Sequence, residues 1–368
     1  MAVRKRNSSL STQVRKRVNK EVEGEKRITP EMCVPTGSTL LNLALSDMPN
    51  GGVLLGKMSN TIGDKHAGKT YMFYNMCAEA CRCEHLEEHE LVHDDVEQGC
   101  VFDVRAMFGR AAAERIVAPR TAANGEAVPS QTISDFHRNI MNRVESGRPF
   151  IYGLDSFDVL SSDEELAVLR KKRSIKKKGE EEKSKGSYGT DKVRGLGAMF
   201  REITQALEAN NSHLMIISQV RANMGGGMFE PKFKRNGGYA LGHAVSHEIW
   251  LFRGSAIKKK NRLVGHTVRP KITKNRSTGK MRSVEIPLYN GYGLDDIGSC
   301  VDFLVTEGTW KKRGNTINAV QFHIAGTRDK VIREIERKDL ELKLQRLTGK
   351  VWMEIEASLV MKRKRRYE

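Results

Sequence analysis

The 368-residue sequence has no apolar run approaching the ~18 consecutive residues that a membrane helix needs. Its opening residues, MAVRKRNSSL, lack the apolar stretch of a secretory signal. Cysteine is scarce: six residues, three of them crowded at Cys77, Cys81 and Cys83, form no disulfide framework for so long a chain. Acidic charge is short as well, with 45 Asp and Glu against 63 Lys and Arg, a formal net charge of +18. These absences exclude membrane-spanning, secreted, fibrous and wholly disordered classes. What is there, 39% hydrophobic and 29% charged residues, suits a globular protein of a reducing, cytoplasmic compartment with one sizeable core.

The surplus charge is clustered. Residues 1–27 hold nine Lys/Arg against three Glu, and residues 170–185 hold nine against three. The closing KRKRRYE carries five against one. From Arg253 to Arg282 there are eleven basic residues and no acid. A single basic run is as readily a solvated face or a localisation tail. Four in one chain favour a phosphate backbone, which Lys and Arg grip by displacing its counterions. No membrane partner is expected.

Leu10, Val14, Val18 and Val22 recur every four positions, a thin stripe on a basic helical arm (residues 1–35) suited to packing on a neighbouring subunit. From about residue 36 the pattern becomes β/α. Val53–Ile62, Phe150–Asp155 and His213–Ser218 read as buried strands, with helices over Thr70–Arg82 and Gly197–Asn210. His247–Arg253, His266–Thr273 and Val284–Tyr289 read as alternating strands. The expected fold is α/β: a core over residues 36–297 with a mostly parallel central sheet. A small C-terminal α/β segment over residues 298–368 carries a charged helix near Arg328–Gln345 and the basic tail. Two long polar stretches, 161–190 and 221–239, fit no regular element, and loops of that length are functional or disordered.

Gly63-Asp64-Lys65-His66-Ala67-Gly68-Lys69-Thr70 matches the phosphate-loop pattern GxxxxGK[ST], between a strand and a helix opening with Tyr71. Its glycines let backbone N–H groups curl around phosphate at a helix N-terminus, where the dipole favours anions. Lys69 is expected to reach the β- and γ-phosphates of ATP, and the Thr70 hydroxyl to ligate Mg²⁺. Asp155, ending an apolar run, can hold the same Mg²⁺; an aspartate at a strand end is otherwise commonplace as a turn or cap. Glu97, just past a short strand, reads alone as a surface acid. Cys77, Cys81, Cys83, His85 and His89 invite zinc, but CxCxH is no familiar closed-site spacing, and buried thiols are the better reading.

The order and spacing resemble the RecA recombinase family across about residues 30–315. Thr36-Gly37-Ser38 with Leu40, Leu41 and Leu43-Ala44-Leu45 resembles the family's lead into its first core strand, and the phosphate loop follows at the expected distance. Asp95-Val96-Glu97 resembles the family's Asp-Ala-Glu, which implies that Glu97 activates the attacking water. Leu154-Asp155-Ser156 resembles its strand ending in Asp-Ser. Ser218-Gln219-Val220-Arg221 resembles the strand end whose glutamine contacts the γ-phosphate and begins the second DNA-binding loop. Gly237-Gly238-Tyr239-Ala240-Leu241 resembles that loop's end. Lys274-Asn275-Arg276 resembles a Lys-Asn-Lys element whose cations reach the ATP of the adjacent subunit. Tyr289 falls where the family stacks a tyrosine on adenine, and Gly308-Thr309-Trp310 resembles a Gly-Ala-Trp. There are departures: Asp64, Lys65 and His66 replace the usual Pro, Glu and Ser, Arg276 replaces Lys, and Val101 and Val104 stand at polar or aromatic adenine-contact positions. The first loop is longer and far more basic than usual, and the C-terminus is basic.

The resemblance implies a DNA-dependent ATPase that forms helical filaments on single-stranded DNA and pairs it with homologous duplex, in the cytoplasm of a bacterium or of a phage's host. In the second loop Arg221, Asn223, Lys232, Lys234 and Arg235 are the expected polar and phosphate contacts, Gly225, Gly226 and Gly227 its pliable part, and Met224, Phe229 and Phe233 its base contacts. Lys185, Tyr188 and Arg194 are the candidates in and just beyond the first loop. Two alternatives stay open: a DNA motor of the same fold, such as a ring helicase or packaging ATPase, and a DNA-coating protein that binds nucleotide without turnover.

Overall fold

A computed structural model describes residues 28–163, 165–168, 195–222, 233–235 and 238–363. The basic arm with Leu10, Val14, Val18 and Val22 lies outside them, as does most of the first long stretch.

The centre is a ten-stranded sheet. Its parallel part runs β5 (Ile116–Val117), β4 (Glu90–Asp95), β6 (Phe150–Asp155), β7 (His213–Ala222), β3 (Met58–Gly63) and β9 (His247–Lys259). An antiparallel extension adds β10 (Arg262–Asn275), β11 (Ile286–Tyr289) and β12 (Gly293–Leu294), and β8 (Phe233–Arg235) pairs antiparallel with the end of β7. A separate two-stranded ribbon joins β1 (Cys33–Val34) to β2 (Val53–Leu54). The α/β class expected from the sequence is the class observed.

Both faces of the parallel strands are buried, which is why they read as unbroken apolar runs. Side chains alternate across the sheet: Met215 and Ile217 of β7 join one hydrophobic cluster, Leu214 and Ile216 the other. Helix α2 (Lys69–Ala80) covers the first face with Phe73 and Met76, while α5 (Ile133–Glu145) and α6 (Leu196–Ala209) cover the second with Phe136, Phe200 and Ile203. Gly153, in the middle of β6, lets α2 close down. A Cβ there would stand 2.4 Å from the Phe73 ring.

Beyond the sheet, α8 (Asp296–Thr306), a three-stranded sheet β13–β15 (Lys311–Arg313, Thr316–Ala319, Ile324–Gly326), α9 (Arg328–Arg337) and α10 (Glu341–Leu359) enclose a third cluster around Trp310. Arg282 clamps α10 to the core: it meets Asp47 at 2.7 Å and Glu356 at 2.6 Å, its guanidinium 5.2 Å from the Trp352 ring.

Three sequence expectations need correction. Val53–Ile62 is not one strand; it breaks at Gly56, whose φ of 68° turns the chain between β2 and β3. The charged helix expected over Arg328–Gln345 is two helices, split at Asp339 with φ of 50°. The stretch 221–239, read as irregular, begins as strand: Arg221 and Ala222 extend β7 and pair with Lys234 and Phe233.

Candidate nucleotide site

The carboxyl ends of β3, β4, β6 and β7 place the candidate residues. Register sets Gly63 opposite Gln219, and Asp95 opposite Asp155, so a loop from β3 meets side chains from three neighbouring strands at one edge. The phosphate loop leaves β3 at Gly63, bends at His66 with φ of 60°, and enters α2 through Gly68 with φ of 88°. Gly68 combines that left-handed backbone, which strains any other residue, with a Cβ position 3.2 Å from the Leu288 side chain, which would have to give way.

Lys69 folds back over the loop, its Nζ donating to the Gly63 and Asp64 carbonyls, both at 2.9 Å. Burial lowers the Lys69 pKa, opposed chiefly by Asp155 and then Glu97. A phosphate offers that ammonium an ionised acceptor in place of these two neutral carbonyls.

Thr70 Oγ1 donates to Asp155 Oδ2 at 2.5 Å. Burial raises Asp155 to about 6, with neighbouring Glu97 and Asp95 adding to the shift and Thr70 opposing it. A desolvated carboxylate beside a hydroxyl offers hard oxygen ligands, the set Mg²⁺ takes when one or two protein groups and phosphates share it. Among the described residues no group of three or more His, Cys, Asp or Glu can hold a metal ion, so a ready-made protein cage is not the alternative there.

Glu97 follows β4, its backbone N–H donating to the Asp155 carbonyl at 3.2 Å. Its Oε1 accepts from Ser156 Oγ at 2.5 Å and from Gln219 Nε2 at 2.8 Å. Gln219 also donates its backbone N–H to Asp158. Glutamate and glutamine are therefore one hydrogen-bonded unit, three residues before the described part of β7 ends.

Beside the loop a cavity of about 360 Å³ is lined by Gly68, Lys69, Thr70 and Tyr71, and by Tyr289 across from them. Its remaining wall includes Phe102, His266, Leu288 and Asn290, which the sequence reading did not name. Val101, read at an adenine-contact position, is 92% exposed, and Val104 packs on the hydrophobic cluster of α2 instead. Phe102 takes the inward place, its ring 5.2 Å from Tyr71. An aromatic one residue along from an expected contact was the available signal.

Lys274 and Arg276 are not brought to this site. Asn275 pairs with His247 and Gly63 with Leu251, four residues further along β9, so the two cations lie about 13 Å away along the strands, at the opposite end of the sheet. There Lys274 Nζ donates to the Gly242 and His243 carbonyls and Arg276 to that of His243.

Of the second-loop candidates, Arg221, Phe233, Lys234 and Arg235 are placed by backbone pairing alone. Asn223, Met224, Gly225, Gly226, Gly227, Phe229 and Lys232, and Lys185, Tyr188 and Arg194, lie outside the described residues. Of the cysteine–histidine group, Cys77 is buried, Cys81 and Cys83 are partly buried, and the rings of His85 and His89 bond the carbonyls of Cys33 and Asn211. Among the described residues no helix is long and apolar enough to cross a membrane.

Residues 156–295 match the family model of the RecA N-terminal domain. The chain is 25% identical to Protein RecA of Caulobacter sp. (strain K31) over 344 residues, 92% of this chain and 86% of that protein. It is 24% identical to Protein RecA of Bartonella henselae over 302 residues, 79% and 75% of the two chains, and 24% identical to that of Porphyromonas gingivalis (strain W83) over 303 residues, 80% and 78%.

Proposed function

We propose that this chain, which is similar to RecA proteins over most of its length and to the RecA N-terminal domain over residues 156–295, is an ATP-dependent recombinase, forming a helical filament on single-stranded DNA and exchanging that strand with homologous duplex. The observation that carries the reading is the Gln219–Glu97–Ser156 unit, beside Thr70–Asp155 and on the strand that leads into the second candidate DNA loop. A filament needs the nucleotide state to reach the DNA, and a γ-phosphate contact that displaces Gln219 from Glu97 moves the strand preceding that loop.

In this mechanism the phosphate-loop N–H groups and Lys69 bind the triphosphate, and Glu97 orients and deprotonates the attacking water. Thr70 and Asp155 would hold Mg²⁺, which would supply positive charge against that developing on the phosphoryl oxygens. Lys274 and Arg276, remote from their own phosphate loop, serve the ATP of the adjacent protomer, and self-association completes the site. ATP and single-stranded DNA then favour each other reciprocally. The basic runs supply the phosphate contacts for the bound strand and the duplex.

The test is ATP turnover with and without single-stranded DNA, electron microscopy of the same mixtures, and DNA affinity in the empty, ADP and ATP states. DNA-stimulated turnover, helical filaments and ATP-tightened binding are expected. Closed rings would point instead to a motor, and equal DNA affinity in all three states without end-to-end assembly would overturn the proposal.

A further inference from the structure

His93, on β4 directly behind the candidate site, is used by nothing described so far. Its ring is buried between Phe73 and Tyr74, with centroids at 5.3 and 5.1 Å. The Tyr74 hydroxyl lies 2.9 Å from Nδ1 and accepts from Cys100 Sγ at 3.2 Å. Nε2 is buried with no hydrogen-bond partner among the described residues, and Asp155 Oδ2 lies 4.0 Å from it.

The tautomer follows from these contacts. If Nδ1 carried the proton, Nε2 would aim a bare lone pair at a carboxylate. The tyrosine O–H therefore donates to Nδ1, and the proton sits on Nε2, facing Asp155. An aromatic slot alone needs no imidazole: phenylalanine fills it without burying an unpartnered N–H.

We infer that His93 is a positioning residue for Asp155: Tyr74 fixes its tautomer, and its Nε2–H holds the orientation in which the Asp155 carboxylate serves the nucleotide site. The inference rests on the reading of Asp155 as the carboxylate that holds Mg²⁺. Ligating carboxylates are oriented by donors outside the metal's own ligand set, and loss of such a donor weakens metal binding; at 4.0 Å the Nε2–H faces Asp155 within reach of a small carboxylate shift.

The experiment titrates MgCl₂ into the full-length protein with a fluorescent ATP analogue, comparing the native chain with His93→Phe, His93→Gln and Tyr74→Phe, and repeats the binding in EDTA. His93→Phe is expected to need about tenfold more Mg²⁺ for half-saturation, with EDTA-state affinity and melting temperature little changed. His93→Gln, whose amide N–H can take the place of Nε2–H, recovers most of that loss. Tyr74→Phe, which frees the tautomer, shifts the midpoint by about threefold and decides the matter if His93→Phe does not fold. An unchanged Mg²⁺ midpoint in His93→Phe, or in Tyr74→Phe where that variant decides, overturns the inference, and so does a glutamine variant as impaired as the phenylalanine one. Failure of the underlying reading looks different: the native protein itself would then bind nucleotide without any response to Mg²⁺.

Discussion

Asp94 and Asp155 are buried carboxylates on neighbouring strands, and their surroundings differ in one respect. Asp94 receives the Ser130 N–H at 2.8 Å and the Ser130 and Tyr152 hydroxyls, both at 2.5 Å. Asp155 receives the Thr70 hydroxyl on Oδ2, and His93 Nε2 stops 4.0 Å from the same oxygen. Buried histidines divide the same way. His213 bonds through both ring nitrogens, to Ser59 at 2.9 Å and the Leu54 carbonyl at 2.8 Å, whereas among the described residues His93 has a partner on Nδ1 and none on Nε2. A buried polar group with a full set of partners ties the scaffold together. One left short keeps its capacity for something that arrives later.

The comparison breaks if Asp94 and Asp155 respond alike to truncation. Asp155→Asn should cut DNA-stimulated ATP turnover by roughly a thousandfold, because a neutral amide holds Mg²⁺ poorly and leaves the phosphoryl charge without its counterion, while urea unfolding shows stability nearly unchanged. Asp94→Ala should do the reverse, lowering unfolding stability by about 3 kcal/mol through stranded Ser130 and Tyr152 donors, with KM for ATP unaltered. Glu97→Gln sharpens the contrast within the site. Turnover should fall by about 10²-fold, yet single-stranded DNA should be held more tightly with ATP, because the nucleotide persists. A variant with turnover intact would leave a DNA-coating protein as the better description.

Much of this was legible in the sequence because it is local. The phosphate loop is eight consecutive residues whose glycines answer to backbone conformation, and Phe150–Asp155 is a run apolar enough to be buried on both faces. What was illegible is set by contacts between distant residues. His93 sits in the strand Glu90–Asp95 as one polar residue among several, and its meaning comes from Tyr74 on the covering helix and Asp155 on the next strand. The breaks at Gly56 and Asp339 were hidden for another reason. Parallel strands buried on both sides carry no alternation to mark where one ends, and Asp339 adopts a left-handed backbone without the glycine that signals a helix stop.

The histidine contrast has a pH consequence. Burial pushes His213 from its ordinary 6.5 down to about 4. The unfolded chain thus binds a proton that the folded chain refuses, and the stability His213 contributes is complete above pH 6.5 and lost as pH falls toward 4. The loss is on the order of 3 kcal/mol across that window. His213→Asn, which keeps a donor for the Leu54 carbonyl but cannot titrate, should flatten this part of the profile in urea unfolding at pH 7 and pH 4.5. Equal acid sensitivity in the two proteins would remove His213 from the account.

The smallest effect tests the comparison where polarity plays no part. Phe102 belongs to both categories: it packs on Tyr71, Tyr74 and Phe108 with centroids at 5.2, 5.2 and 5.8 Å, yet it also lines the cavity beside the phosphate loop. If its open face receives the base, Phe102→Ala raises KM for ATP about fivefold, the equivalent of one stacking contact near 1 kcal/mol, with kcat unchanged. Stacking reads no hydrogen-bond pattern, so KM for GTP should rise by the same factor. A fall in melting temperature with both KM values constant would make Phe102 scaffold, like Asp94, and would place the base elsewhere along the cavity wall, against Tyr289.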